Sequence, residues 1–338
     1  MEGRKPVRID DVAREAGVSI TTVSHALSGK GRLPDETRER VRRVAADLGY
    51  APNPAARSLA GGKVGLIATF VSLPGNAPLA FTEIDYYVRL ITAATSAAIE
   101  RGYSLVVAPS NAGAETWSRL PLDGAIVIDP ASGDPGLGSL RDHGGPLVLI
   151  GRDLNGRPDD VVVQNDHAAA TRTVLDHLLQ AGAGHAALLT LEPYESFTAD
   201  ALDTYRAWCA ERGREPVVGL TQADSTSDLV AFREAADAFV GRPDRPDGVF
   251  CMYERLGVEV LRAAREAGLA VPSELRVAAI SEIGLAETSD PPLTTLEINP
   301  DELGSRAAHL LMDRVEGLEV ASALDVPTWL VARASTAG

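Results

Sequence analysis

The chain has 338 residues, more than one compact core usually supports, so we expect two or three domains. Its composition is 45% hydrophobic, yet it has no long uncharged apolar run and no apolar N-terminal signal core. We therefore expect a cytoplasmic protein without a membrane partner. Two cysteines are too few for a disulfide scaffold or a four-cysteine zinc site, and we expect no metal or other cofactor.

The net charge of −15 is distributed unevenly along the chain. Residues 1–63 contain 12 basic and 8 acidic side chains, including all three lysines, whereas the remainder contains 20 basic and 39 acidic ones. A small basic module joined to a large acidic body is typical of a protein with a nucleic-acid partner. Chance asymmetry on a solvated surface is the alternative.

Residues 8–48 have the periodicity of three short helices. Gly17 is predicted to end the first helix, Ser19 to cap the second and Asp35 to cap the third. The first two form a helix-turn-helix, in which the second helix lies in the major groove of DNA. An ordinary helical hairpin with a glycine turn is the alternative.

The second helix is rich in short side chains, which a close approach to bases requires. Ile20 can contact a thymine methyl group, and the hydroxyls can bond base edges or phosphates. The predicted DNA-contacting residues of this helix are Ser19, Ile20, Thr21, Thr22, Ser24 and His25.

From Val64 onward, apolar strands alternate with amphipathic helices. This alternation predicts parallel sheets built from βαβ units, and the length of the region favours two sheets over one. The preceding segment, "APNPAARSLAGG", contains prolines and glycines and is predicted to be a linker that becomes helical on binding.

Several motifs together resemble the lactose/galactose-repressor (LacI/GalR) family of bacterial transcription regulators. They are "IDDVAREAGVSITTVSHALSG", "LPDETRERVRRVAADLGYAPNPAARSLAGG", "GVEVLRAAREAGLAVP", "PPLTTLEINPDELGSRAAHLL" and the terminal "VARAST". The resemblance implies an all-α helix-turn-helix headpiece and an α/β periplasmic-binding-protein-like body of two lobes with parallel sheets. The implied parts are the headpiece (1–50), hinge helix or linker (51–63), N-terminal lobe (64–163 and 293–327), C-terminal lobe (164–292) and tail (328–338).

The resemblance also implies how the chain contacts operator DNA. Ile20, Thr21 and His25 match operator-reading positions, and the family usually has arginine where His25 stands. His25 makes only single hydrogen bonds, which predicts a shifted operator preference; a solvated surface histidine is the alternative. Leu59 matches a leucine that wedges between base pairs, which implies a homodimer on a pseudo-palindromic operator. The implied hinge contacts are Asn53, Ala56, Arg57 and Leu59.

The implied effector cleft departs from the family pattern. Ala201 replaces an arginine that precedes the matching aromatic Tyr205, and acidic residues follow two strands where the family has Asn-Asp and Asp-Asp or Asp-Asn pairs. We expect an effector that is not an ordinary monosaccharide and has aromatic or cationic character; a degenerate pocket whose residues only pack is the alternative. The predicted effector-binding residues are Tyr86, Tyr87, Arg152, Asp166, Tyr205, Tyr253, Glu254, Ser281 and Glu282.

The sequence also allows alternative roles for two residues and alternative classes of protein. Arg152 and Asp166 could equally form strand-end salt bridges. A plain small-molecule binding protein would need no basic N-terminal module. The six histidines lack paired metal spacing and no nucleophile motif is present, so we expect a small-molecule-controlled repressor and not an enzyme.

Overall fold

The computed structural model of the chain describes residues 7–28, 32–50, 63–73, 80–192, 195–221 and 228–337. The chain divides into two compact units, Met1–Gly65 and Leu66–Gly338. In the part of the chain that the structure describes, no helix combines the length and apolar character needed to span a bilayer.

The N-terminal unit contains three helices: α1 (Ile9–Ala16), α2 (Ile20–Ser28) and α3 (Asp35–Leu48). Gly17 ends α1 with a left-handed φ of 64°, a conformation that favours glycine. The Ser19 hydroxyl accepts a hydrogen bond from the Thr22 amide at 3.1 Å, which confirms the predicted cap of α2. Asp35 was predicted to cap α3, but it is the first helical residue, because Pro34 holds the extended cap position.

The second unit, which we call the body, contains twelve strands among its described residues. They are β1 (Leu66–Val71), β2 (Ser104–Val107), β3 (Gly124–Ile128), β4 (Leu147–Ile150), β5 (Val162–Gln164), β6 (Ala186–Leu191), β7 (Val218–Thr221), β8 (Gly248–Cys251), β9 (Arg276–Ile280), β10 (Thr294–Glu297), β11 (Ala323–Asp325) and β12 (Trp329–Val331).

The α-helices described for the body alternate with these strands, as the sequence predicts. They are α4 (Asp85–Glu100), α5 (Ala114–Ser118), α6 (Pro135–His143), α7 (His167–Gln180), α8 (Ser196–Glu211), α9 (Leu229–Val240), α10 (Glu254–Glu266) and α11 (Pro300–Glu316). A single 3-10 turn, Ala80–Glu83, precedes α4.

The strands form two six-stranded sheets, one in each lobe. The first lobe has the order β11-β5-β4-β3-β1-β2, and the second has β12-β10-β9-β8-β6-β7. All pairings are parallel except β10 with β12. Two lobes with parallel sheets are therefore confirmed, and the strand order places the carboxyl ends of the central strands of each lobe at one edge.

Within the described parts of the body, the chain crosses between the lobes three times. The first crossing is at Asn165, as expected from the sequence; the second follows β10 near Ile298, and the third follows β11 at Val326. The buried Asn165 carboxamide donates to the carbonyl oxygens of Ile298, at 3.2 Å, and Val326, at 2.9 Å. One side chain thus joins all three crossing segments.

The predicted lobe boundary near Pro292 is wrong. Residues 293–297 were assigned to the first lobe, but β10 pairs in parallel with β9 of the second. The predicted tail, 328–338, is also part of the second lobe, because β12 pairs with β10 and the Ser335 hydroxyl donates to the Val277 carbonyl at 2.6 Å. An apolar run predicts a strand but does not specify which sheet it joins, which explains the error.

The C-terminal helix α11 packs closely on α4 of the first lobe. A Cβ atom at Gly304 would lie 2.1 Å from the carbonyl oxygen of Leu90, a distance that atoms cannot adopt. Glycine at this position therefore permits the close approach of the two helices.

Candidate functional sites

The N-terminal unit has a small apolar core that all three of its helices share. Val12 of α1, Val23 and Ala26 of α2, and Val41 and Ala45 of α3 are buried in it. Because one face of α2 is committed to this core, the opposite face is left to solvent.

The solvent face of α2 carries most of the residues predicted to contact DNA. Ser19, Thr21, Ser24 and His25 are exposed, and the Ile20 side chain is 50% exposed. An exposed isoleucine among hydroxyls and an imidazole can contact thymine methyl groups, base edges and phosphates.

One predicted DNA-contacting residue, Thr22, is less exposed than the others, and the hinge residues cannot be compared. Thr22 is half-buried, and its hydroxyl lies 2.8 Å from that of Ser19, so it stabilises the start of the helix. The predicted hinge residues Asn53, Ala56, Arg57 and Leu59 lie outside the described residues.

The body contains a cleft between its two lobes, at the carboxyl ends of the central strands. It has about 440 Å³ not occupied by protein atoms, part of which is open to solvent. Its described lining residues are Tyr86, Tyr87, Asp129, Glu195, Phe197, Thr198, Met252, Tyr253, Ile280, Glu282 and Ile298. Both lobes contribute, and a cleft at this edge of α/β sheets is where ligands bind.

Four residues of the sequence-based effector set line this cleft: Tyr86, Tyr87, Tyr253 and Glu282. Tyr86 and Tyr87 lie in the first turn of α4 and contact each other edge to face, with ring centroids 4.9 Å apart. Tyr253 and Glu282 follow β8 and β9 in the second lobe. The lobes meet here directly, because the Tyr86 amide donates to the Glu282 carbonyl at 2.9 Å.

Glu254 was predicted to bind the effector, but the structure gives it a different role. Its fully buried carboxylate accepts hydrogen bonds from the amides of the loop after β9. The distances are 2.7 Å to Glu282, 2.8 Å to Ile283, 3.2 Å to Gly284 and 2.6 Å to Ala286. With its oxygens occupied by the backbone, Glu254 holds the loop that carries Glu282.

Tyr205 is likewise absent from the described cleft lining. Its ring is fully buried in the second lobe, where the hydroxyl donates to the Ala186 carbonyl at 2.7 Å and accepts from the Val217 amide at 2.9 Å. A tyrosine with a satisfied hydroxyl in the core packs the lobe and is not available to a ligand. The family motif places it correctly on α8, but the motif does not determine which side of the helix faces the cleft.

The polar residues after β4 and β5 contact other protein groups. The Arg152 guanidinium pairs with Asp200 on α8, so it links the two lobes. Asp166 caps α7 by accepting from the Ala169 amide at 2.9 Å. Ser281, predicted as a ligand, is half-buried and its amide donates to the Leu296 carbonyl at 3.0 Å. For Arg152, the salt-bridge alternative describes the observed contact.

Sequence reasoning missed two acidic residues that line the cleft, Asp129 and Glu195. Asp129 follows β3 and has a left-handed φ of 49°, which Asp adopts more readily than most residues. Glu195 caps α8, and its two carboxylate oxygens accept from the Phe197 amide at 2.5 Å and the Thr198 amide at 2.8 Å, so that it faces the cleft as a charge held in place by the helix start. The signal for Asp129 was its place directly after a predicted strand, "GAIVID", at the edge where ligands bind.

The cleft brings acidic groups together in a buried setting that opposes their ionisation. Burial raises the pKa of Asp129 to about 8, and the nearby Glu195 carboxylate adds to the effect. Burial also raises the pKa of Glu282 to about 8, with repulsion from Glu254, Asp129 and Glu195 contributing. Acidic groups in such a site favour an occupant that supplies positive charge.

Comparison with known proteins supports the two-part organisation. Residues 8–53 match "Bacterial regulatory proteins, lacI family", and residues 175–336 match "Periplasmic binding protein-like domain". The HTH-type transcriptional regulator CelR of Thermobifida fusca is 30% identical over 331 residues, which cover 94% of both proteins. The ribose operon repressor of Escherichia coli is 27% identical and is matched over 90% of this chain and 92% of its own length.

Solved structures with the same architecture extend over almost the whole chain. A CelR–cellobiose complex has a TM-score of 0.71 and 27% identity, and the match covers 97% of this chain and 99% of that one. A lac repressor dimer bound to operator and the anti-inducer ONPF has a TM-score of 0.78 at 23% identity, with 99% and 100% covered. At 23% identity, the similarity to the lac repressor structure shows only that the two proteins share a fold.

Proposed function

Because this chain belongs to the LacI family of bacterial regulatory proteins, we propose that it is a transcriptional repressor controlled by a small molecule in the body cleft. It binds a pseudo-palindromic operator as a homodimer. The observation that carries the proposal is the exposed face of α2, where hydroxyls, Ile20 and His25 lie opposite the buried Val23 and Ala26.

The basic charge of the first 63 residues complements this face. A net positive module neutralises phosphates and supplies sequence-independent affinity, whereas the short side chains of α2 read base edges. A homodimer presents two such helices to two half-sites, which is why we expect a pseudo-palindrome.

The construction of the body supports control by a ligand. Three crossing segments join the lobes, so the lobes can change their closure while the chain stays connected. A ligand that contacts both lobes binds one closure better than another and shifts the population toward it. That shift changes DNA affinity if the two closures hold the N-terminal units of the dimer differently.

The test begins with selection of DNA from a random duplex library by the purified full-length chain. We expect a pseudo-palindromic consensus bound by two chains per duplex. The decisive variant is Thr21→Glu, which places a carboxylate on the exposed face of α2, where it repels phosphates and bases. Thr173→Glu is the matched control, because it adds the same charge at an exposed position of α7 in the body.

Affinity for the selected duplex, measured by fluorescence anisotropy, distinguishes the outcomes. We expect Thr21→Glu to lose specific binding by roughly 100-fold or more and Thr173→Glu to keep it. Equal affinity of Thr21→Glu and the unmodified protein would show that α2 does not face DNA. Selection without any consensus would contradict sequence-specific regulation altogether.

A further inference from the structure

The described lining of the body cleft contains acidic side chains and no basic ones. Its described lining includes the three carboxylates of Asp129, Glu195 and Glu282, three tyrosines and several apolar side chains. No lysine, arginine, histidine, asparagine or glutamine is found among those lining residues. The cleft therefore offers many acceptors for a ligand's donors and no cationic group for a ligand's anion.

The three carboxylates approach the cleft from both lobes. Asp129 belongs to the first lobe, whereas Glu195 and Glu282 belong to the second. One oxygen of Glu282 accepts from the Glu254 amide at 3.0 Å, and the other has no hydrogen-bond partner among the residues described. A donor placed between the lobes could bond this oxygen and attract both lobes together.

Tyr86 provides a second, independent observation about the cleft. Its side chain is only 9% exposed and lines the cleft, yet its hydroxyl has no hydrogen-bond partner among the described residues. Burial raises its pKa, and the nearby Asp129, Glu195 and Glu282 raise it further. The ring is held in place by burial while its hydroxyl faces the cleft, so the hydroxyl is positioned to bond a ligand there.

The acidic groups and the apolar walls of the cleft select the class of ligand. An anion would meet three acidic groups and no positive charge, and a neutral sugar would find acceptors but no amide or guanidinium donors among the described lining. A metal ion is not favoured, because no group of three or more acidic, histidine or cysteine side chains in the described chain is arranged to hold one. Aromatic rings beside carboxylates are well suited to an ammonium group.

We infer that the cleft binds a small organic cation, an amine with an aromatic or apolar body, whose ammonium group lies among Asp129, Glu195 and Glu282. The body of the ligand packs between the tyrosines and Met252, Ile280 and Ile298. This inference rests on the proposed function, since it assigns the chemical class of the small molecule that controls the regulator.

Titration calorimetry of the full-length protein tests the inference with pairs of compounds that match in shape and differ in charge. The probes are tyramine, benzylamine and cadaverine, each compared with its neutral alcohol: tyrosol, benzyl alcohol and 1,5-pentanediol. Cellobiose is the neutral sugar probe. We expect at least one amine to bind roughly ten-fold or more tightly than its alcohol near neutral pH. Binding should also release about one proton, because a cation lowers the raised pKa values of Asp129 and Glu282.

Glu282→Gln and a control variant test whether amine binding takes place at the body cleft. Glu282→Gln keeps an acceptor for the Glu254 amide but removes the charge, so amine affinity should fall roughly ten-fold and proton release should decrease. Glu234→Gln removes an exposed carboxylate of α9 in the same lobe and should change neither quantity. Failure of every amine to bind, binding of an alcohol or cellobiose as tightly as an amine, or unchanged amine affinity in Glu282→Gln would each overturn the inference.

The DNA measurement separates this inference from the proposed function. A protein that selects a pseudo-palindrome and releases it with cellobiose, but not with any amine, would remain a ligand-controlled regulator with a neutral effector. A protein that binds amines but selects no DNA consensus would keep the cation site and lose the proposed function.

Discussion

The Arg152 guanidinium and the Asp200 carboxylate form an ion pair that joins the first lobe to the second. His167 Nδ1 lies 2.9 Å from the other oxygen of Asp200. Burial opposes ionisation of Asp200, but the His167 hydrogen bond and the Arg152 charge outweigh it and lower its pKa. Asp200 is therefore a charged link that stabilises the observed arrangement of the lobes.

Asp200→Asn should shift the lobes toward a more open arrangement. The Arg152 side chain is 41% exposed, so we expect the lost pair to contribute at most about 1 kcal/mol, or roughly a five-fold change in the population ratio. Small-angle scattering of the unliganded protein should show a larger radius of gyration. Asp203→Asn is the control, because Asp203 is exposed and pairs within α8 with Arg206. Identical scattering of Asp200→Asn and the unmodified protein would contradict the link.

Glu254→Gln should destabilise the body by about 2–4 kcal/mol. The carboxylate accepts from four backbone amides, and the amide group of glutamine would turn a donor toward other donors. Urea unfolding followed by tryptophan fluorescence measures the change, since all three tryptophans lie in the body. Glu234→Gln should unfold like the unmodified protein. An unfolding free energy of Glu254→Gln within error of that of the control would show that the anchoring bonds contribute nothing.

Tyr205→Phe should lower the stability of the body, whereas Tyr86→Phe should lower its affinity for a ligand. Tyr205 makes two backbone hydrogen bonds in the core, so its loss should lower the free energy of unfolding by about 1–2 kcal/mol and leave ligand affinity unchanged. The Tyr86 hydroxyl has no protein partner among the described residues, so its loss should lower ligand affinity with little effect on stability. Urea unfolding and calorimetry with the best-binding probe check both. If Tyr205→Phe lowered ligand affinity and Tyr86→Phe lowered stability, Tyr205 and not Tyr86 would belong to the effector site.

The sequence could predict the elements of the fold better than their assembly. The glycine at the end of α1 and the hydroxyl cap of α2 are local signals, and both were read correctly from Gly17 and Ser19. Strand β10 belongs to the second lobe because it pairs with β9. The periodicity of the sequence does not show which strand will be its partner. The boundary at Pro292 was wrong for this reason.

The same limit applies to the cleft. Tyr86 and Glu282 were found because each occupies a motif position beside the predicted cleft. Glu254, at a neighbouring motif position, turns inward because the loop after β9 offers it four amides. Glu195 was missed because a helix-capping carboxylate has the same sequence signature whether or not it also faces a ligand.

Stability of the body should decrease with rising pH because of Glu282. Its folded-state pKa is about 8, above the ordinary carboxyl value of 4.5, so the folded state binds more protons than the unfolded state between these values. Replacement by glutamine removes this dependence. From about pH 5 to about pH 8, the stability of Glu282→Gln relative to the unmodified protein should therefore rise, by up to about 1 kcal/mol per pH unit. Urea unfolding at several pH values gives the difference, and a constant difference would contradict a raised pKa.

His25→Arg should change which operator the protein selects. The exposed His25 side chain on α2 can make only single hydrogen bonds to a base, whereas arginine can bond both acceptors of a guanine. We expect the selected consensus to gain a guanine at one symmetric pair of positions, with discrimination of about 1–3 kcal/mol against other bases. Thr173→Arg, which adds the same charge in the body, should leave the consensus unchanged. An unaltered consensus for His25→Arg would mean that this side chain reads no base, and His25 would then be a solvated surface residue.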